Sequence, residues 1–162
     1  MLTERMEEAM SAQLNAELYS AYLYLSMSSF YESIGLPGFA SWMRVQRLEE
    51  LIHGLKLFDY IVEAGGRVLL RAIEGPPTDW EGAPGPFEAA YAHERKVTGL
   101  INALVDVANE EKDDATVDFL QWYVGEQAEE EESASSVVEK IKAAGDSEEE
   151  IEKLDGELAM RS

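Results

Sequence analysis

The sequence predicts an all-α chain, in which four long helices form two hairpins joined by one long crossover and a short fifth helix follows. Three observations carry this prediction. Long stretches lack Gly and Pro and are rich in good helix formers. Two connections are very short, whereas one runs to about twenty residues. Strand-like alternation is confined to a few residues, Val68 to Leu70.

Thr3 can cap the first helix, which runs from Glu4 to about Ile34 and is broken by Gly35, Pro37 and Gly38. The second run, Phe39 to Ala64, stops at Gly65-Gly66, because glycine tolerates the left-handed conformation in which helices commonly end. The connection RVLLRAIEGPPTDWEGAPG follows and, counting Pro86, holds four of the five prolines. Pro86 suits the first turn of a third helix, Phe87 to Glu111. Beyond Lys112-Asp113-Asp114 a fourth runs from Ala115 to Ala144 and ends at Gly145. Asp146 or Ser147 caps the fifth, Glu148 to Leu158. Turns of two to four residues force antiparallel neighbours, and the long connection can span the ~40 Å of a helix of ~27 residues. Residues 1–162 are expected to form a single domain.

Composition narrows the function. With 13 Lys+Arg against 33 Asp+Glu the formal charge is −20, which disfavours nucleic acid and anionic membranes as partners and suits cations. The absence of Cys excludes disulfides, thiolate metal sites, iron–sulfur clusters and a Cys nucleophile, and two His cannot build a three-His zinc centre. The start, MLTERMEEAM, is acidic where a secretion signal would be basic, and no apolar stretch approaches the ~20 residues of a membrane span. A cytoplasmic location is the expectation.

Each long helix can be written as a 4,3 seam facing a bundle core. On the third this seam reads Phe87, Tyr91, Glu94, Thr98, Ile101, Val105 and Ala108. Every seam carries a glutamate near its middle: Glu17 on the first, Glu50 on the second together with His53, Glu94 on the third and Glu130 on the fourth together with Gln127. Counted from the turns, these six residues lie within about one helical turn of a common level. The two hairpins also share a register offset by 77 residues, so that Glu17 matches Glu94, Glu50 matches Gln127 and His53 matches Glu130. Burying one ionised carboxylate costs several kcal/mol, and four together also repel, so positive charge must sit among them. One imidazole and four carboxylates are a ligand set for iron or manganese, and the four negative charges balance two divalent cations. A Glu from each of two helices with Glu-x-x-His from the others is the arrangement of di-iron carboxylate bundles, here with the second Glu-x-x-His replaced by Gln127-Ala-Glu-Glu130. His93, off the seam, reads as a surface residue, Met6, Met10, Met27 and Met43 as core, and Trp42, Trp80 and Trp122 as packing anchors.

The segments QLNAELYSAYLYLSM, GFASWMRVQRLEELIHGLKLFDYIVEAGGRV and FLQWYVGEQAEEE resemble non-haem ferritins of bacteria and archaea over nearly the whole chain. The resemblance implies a ferritin-like bundle that oxidises ferrous iron with dioxygen or peroxide and stores ferric mineral in a hollow shell of twenty-four subunits. It implies one iron site at Glu17, Glu50 and His53 and a second at Glu50, Glu94 and Glu130, bridged by Glu50, with Gln127 alongside and Tyr24 close enough to give up an electron. Glu49, Glu126 and Glu129, with Glu130, resemble a third iron site of some members. Ile52 stands where bacterioferritin has its methionine haem ligand, so no haem is expected. The basic arm common in DNA-coating mini-ferritins and the Cys-rich module of rubrerythrin-like peroxidases are not seen. A soluble di-iron oxidoreductase or peroxidase that stores no mineral is the alternative.

Overall fold

The computed structural model describes all 162 residues and contains five helices and no strand. These are α1 (Glu4–Ser33), α2 (Pro37–Glu63), α3 (Pro84–Glu110), α4 (Asp114–Ala144) and α5 (Glu148–Leu158). The predicted caps form: Thr3 accepts from the Met6 amide, and Ser147 from that of Glu150. Asp113 caps α4 at the Thr116 amide. Two helices begin earlier than the sequence suggests. Pro37 starts α2, and Pro84 starts α3 three residues before the expected position, because a proline lacks only an amide that the first turn leaves unpaired anyway. Gly65, at φ +82°, supplies the left-handed exit from α2.

α1 packs on α2 and α3 on α4, the two hairpins meet through α1 and α3, and α5 lies against α2 and α4. The crossover can be followed along α1. The Arg67 amide and the Arg71 guanidinium donate to Glu7 and Glu8 at one end, Ser26 donates to the Pro77 carbonyl further along, and Tyr31 donates to the Ala83 carbonyl at the other end.

The core is divided into two apolar blocks. One, near the α1–α2 turn, is aromatic, with Tyr24, Tyr31, Phe39, Trp42 and Phe87 among its members. The other, at the opposite end, contains Met6, Met10, Leu14, Leu57, Ile61, Ile101, Leu120 and Tyr123. Between them all four long helices contribute polar side chains. The seams of α1, α2 and α4 are buried almost throughout, but α3 differs from expectation. Phe87, Glu94, Ile101 and Ala108 are buried as expected, but between them Ala90, Val97 and Leu104 are buried while Tyr91, Thr98 and Val105 are half-buried. The inward stripe is wider than two positions per seven, and its centre is turned by one residue toward the purely apolar side chains. Glu94 lies within the stripe under either phase.

α5 is docked by a close approach. The Asp155 carboxylate accepts from the Gly38 and Phe39 amides at 2.8 and 3.0 Å, capping an α2 N-terminus that Leu36 cannot cap with its side chain. A Cβ at position 38 would lie 1.8 Å from the Asp155 carbonyl oxygen, so only glycine fits there. Leu154 and Leu158 complete the contact by entering the aromatic block. No helix is long and apolar enough to cross a membrane.

Candidate metal centre

The polar layer is built one helix at a time. α1 brings Gln13, Glu17 and Ser20, and α2 brings Gln46, Glu50 and His53. α3 adds Glu94, and α4 adds Gln127 and Glu130. All nine are buried. Their ligand atoms form two groups that share a residue: Glu17, Glu50 and His53 in one, and Glu50, Glu94 and Glu130 in the other. His53 Nδ1 lies 3.3 Å from Glu50 and 4.0 Å from Glu17, while its Nε2 lies 3.4 Å from Glu126. Glu126 thereby forms a third group with His53 and Glu130 at the edge of the layer. A carboxylate beside the outer nitrogen of a histidine fixes the ring and raises its basicity as a ligand.

Three glutamines orient the carboxylates. Gln13 donates to Glu17 at 3.0 Å, and Gln46 donates to Glu50 at 3.0 Å and to Glu130 at 2.5 Å. Gln127 donates to the side chain and the backbone carbonyl of Glu94, each at 3.2 Å. Tyr24 donates a short hydrogen bond to Glu94, which places its phenol against the centre. The Tyr123 hydroxyl holds the His53 backbone carbonyl at 2.6 Å.

The electrostatics are those of a site that lacks its counter-charge. No Lys or Arg pairs with Glu17, Glu50, Glu94 or Glu130, and buried Glu17 Oε2 has no hydrogen-bond partner. Burial, helped by the neighbouring carboxylates, pushes Glu50 well up and Glu130 up to about 8. Burial likewise raises Glu94 to about 6, against hydrogen bonds from Tyr24 and Gln127 that favour its charged form. The Tyr24 phenol is pushed well up, first by burial and then by Glu94. A carboxylate oxygen left unpaired beside acids whose ionisation burial opposes is suited to hard divalent cations.

The outer acids separate. Glu126 reaches the layer, but Glu49 is bound to Arg161 at 2.9 Å and Glu129 is exposed and joins none of the three groups. Two sequence expectations are corrected. His93 is half-buried rather than a surface residue, because it packs against the Tyr19 and Tyr24 rings with its Nε2 2.7 Å from Ser20; burial lowers its pKa to about 4. Trp122 is 40% exposed rather than an anchor, since only its edge-on contacts with His53 and Tyr123 face inward while Lys56 covers the ring. Sequence reasoning also passes over Gln13, Gln46 and Arg161 as parts of the site. The available signal for the glutamines is their position four residues before Glu17 and Glu50 on the same seams.

Residues 7–144 match the Ferritin-like domain family. A bacterial non-heme ferritin of Bacteroides fragilis is 46% identical over 90% of this chain and 92% of its own length. One of Escherichia coli is 36% identical over 98% and 96%. Among solved structures, an open pore ferritin from the hyperthermophilic archaeon Archaeoglobus fulgidus is 52% identical, covers 100% of both chains and superposes with a TM-score of 0.99. A closed form of that ferritin engineered by mutagenesis is equally similar, with 52% identity and a TM-score of 0.99.

Proposed function

We propose, for a chain that belongs to the ferritin family, that Glu17, Glu50, His53, Glu94 and Glu130 form a ferroxidase centre that loads an iron store. Family membership supports iron storage as the role and iron as the metal. The single observation that carries the finer reading is the pair of buried ligand groups sharing Glu50, with four carboxylates and no Lys or Arg to neutralise them. Two ferrous ions are the substrate that balances this charge. Glu17, Glu50 and His53 would hold one ion and Glu50, Glu94 and Glu130 the other. Each ion loses one electron, and the two electrons reduce one dioxygen to peroxide or one peroxide to water, with protons drawn from solvent. The hard ferric product is stabilised by the same carboxylate oxygens. Gln13, Gln46 and Gln127 keep those oxygens aimed inward, Glu126 orients His53, and Tyr24 stands where it can supply an electron.

The reading extends to the assembly. A hollow shell of twenty-four copies in the cytoplasm would hold the mineral, and it is supported by the likeness to an open pore ferritin along both full lengths. The whole chain would act as one domain, without nucleic acid, membrane or haem; exposed Ile52 offers no haem ligand. The alternative, a di-iron oxidoreductase without storage, has no observation in its favour beyond the centre itself. Stopped-flow oxidation at two ferrous ions per chain, with light scattering and a count of retained iron, tests the proposal. A fast paired phase and many ions kept per particle are expected, and Glu130→Ala should abolish the fast phase because one ion loses its anionic ligand. Oxidation by Glu130→Ala at the parent rate would overturn the site assignment, and small particles that release their iron would favour the alternative.

A further inference from the structure

Arg161, which follows α5, is tied to the rim of the centre. Its guanidinium carbon stacks 3.9 Å from the centroid of the Trp42 ring, and its nitrogens donate to the Trp42 carbonyl at 3.2 Å, to Gln46 Oε1 at 2.9 Å and to Glu49 at 2.9 Å. The placement follows from the docking of α5, since Asp155 fixes that helix to the start of α2 and Arg161 then reaches one to three turns further along it.

A guanidinium can only donate. Gln46 lies between Arg161 and the carboxylates, so its amide must turn its oxygen to Arg161, which leaves the nitrogen toward Glu50 and Glu130. Arg161 thus keeps Gln46 a donor to the carboxylates. Its second effect is on Glu49, which the same guanidinium nitrogen holds beside Gln46, the amide bonded to Glu130. Glu126 and Glu130 already converge with His53, so a freed Glu49 would add another oxygen ligand at that edge. A fixed positive charge already holds Glu49.

We propose that Arg161 is the chain's own substitute for a cation beside the centre: it closes the Glu49, Glu126 and Glu130 edge to a further metal ion and positions Gln46. This rests on the reading of the paired centre above. Among the basic side chains only Arg161 reaches this edge, because Lys56, the other cation nearby, stacks on Trp122.

Zinc is a redox-inert probe that measures sites without turnover. Calorimetric titration of the metal-free assembled protein with Zn²⁺ should give a count for the parent, and Arg161→Met, which keeps the apolar stem over Trp42 without the charge, should bind one additional Zn²⁺ per chain. Arg161→Met with Glu49→Gln should return to the parent count. An unchanged count in Arg161→Met would overturn the proposal while leaving the paired centre standing, whereas a parent that binds no Zn²⁺ pair would sink the paired centre itself. If Arg161→Met fails to assemble, Arg161→Lys serves, because a flexible ammonium holds Glu49 without the planar fork. Weaker exclusion, seen as a partial extra site, supports the proposal there, and a count identical to the parent with Gln46 side-chain amide signals unshifted in NMR counts against it.

Discussion

Glu130 carries the clearest consequence for acidity at the level of single residues. Burial first and Glu94 next lift it to about 8, and burial lifts Glu94 to about 6, against about 4.3 for a glutamate in an unfolded chain. Between roughly pH 4 and 8 the folded metal-free protein therefore binds more protons than the unfolded chain, so its stability falls as pH rises through that window. A Tm that declines from pH 5 to pH 8 in metal-free protein is expected, and Glu130→Gln, which cannot ionise, should flatten the decline. An equal slope in the variant would show that Glu130 ionises in the fold as it does in water. Metal binding opposes this trend because the ligands must be ionised and their protons are released. The four acids and the imidazole at the centre are readable from the sequence, since a glutamate in the middle of an apolar seam has no inexpensive account other than a cation. Gln13 and Gln46 are not, because a neutral amide one turn before a glutamate is ordinary on any helix. His93 escapes for a different reason: its burial comes from the Tyr19 and Tyr24 rings of a neighbouring helix, not from its own seam.

Helix by helix, the punctuation of the chain explains what can be foreseen. Thr3, Gly65, Gly145 and Ser147 mark ends whose chemistry is local, so the ends are found within a few residues. The phase of α3 is less determined, because Tyr91 and Thr98 are amphipathic and fit the edge of a stripe as well as its centre. The docking of α5 is beyond local reading altogether. It depends on Gly38 and Asp155 meeting across 117 positions of sequence, and Arg161 reaches Gln46 only after that contact is made. Gly38→Ala tests the contact. Its methyl would overlap the Asp155 carbonyl at 1.8 Å, so α5 must shift, and a loss of about 1–3 kcal/mol is expected, from overpacking together with the loss of the α2 cap. Thermal melts beside hydrogen exchange of α5 amides would measure it. A variant with parental stability and protection would mean that α5 is free to slide.

Taken as a whole, the molecule carries −20 per chain, so copies brought together repel one another overall. The proposed assembly would then rest on apolar surface such as Tyr22, Leu25, Leu69, Leu70 and Ile73, which is exposed on α1 and the crossover. Repulsion between copies is screened over about 10 Å at 0.1 M salt and about 3 Å at 1 M. The assembled fraction, measured by size-exclusion chromatography with light scattering, should therefore rise between these conditions. A fall with salt would show that ion pairs, not apolar contact, hold the copies together. The division of the core into two blocks has a mechanical consequence. Packed interiors yield little under load, so the aromatic block at one end and the aliphatic block at the other act as stiff jaws that set the gap between the ligand-bearing helices. An ion whose radius matches the gap is gripped at no elastic cost, while a larger one must spread both jaws at once. Discrimination among ions with the same charge and the same ligands would then be decided by side chains such as Phe39 and Leu57, which are not among the ligand groups.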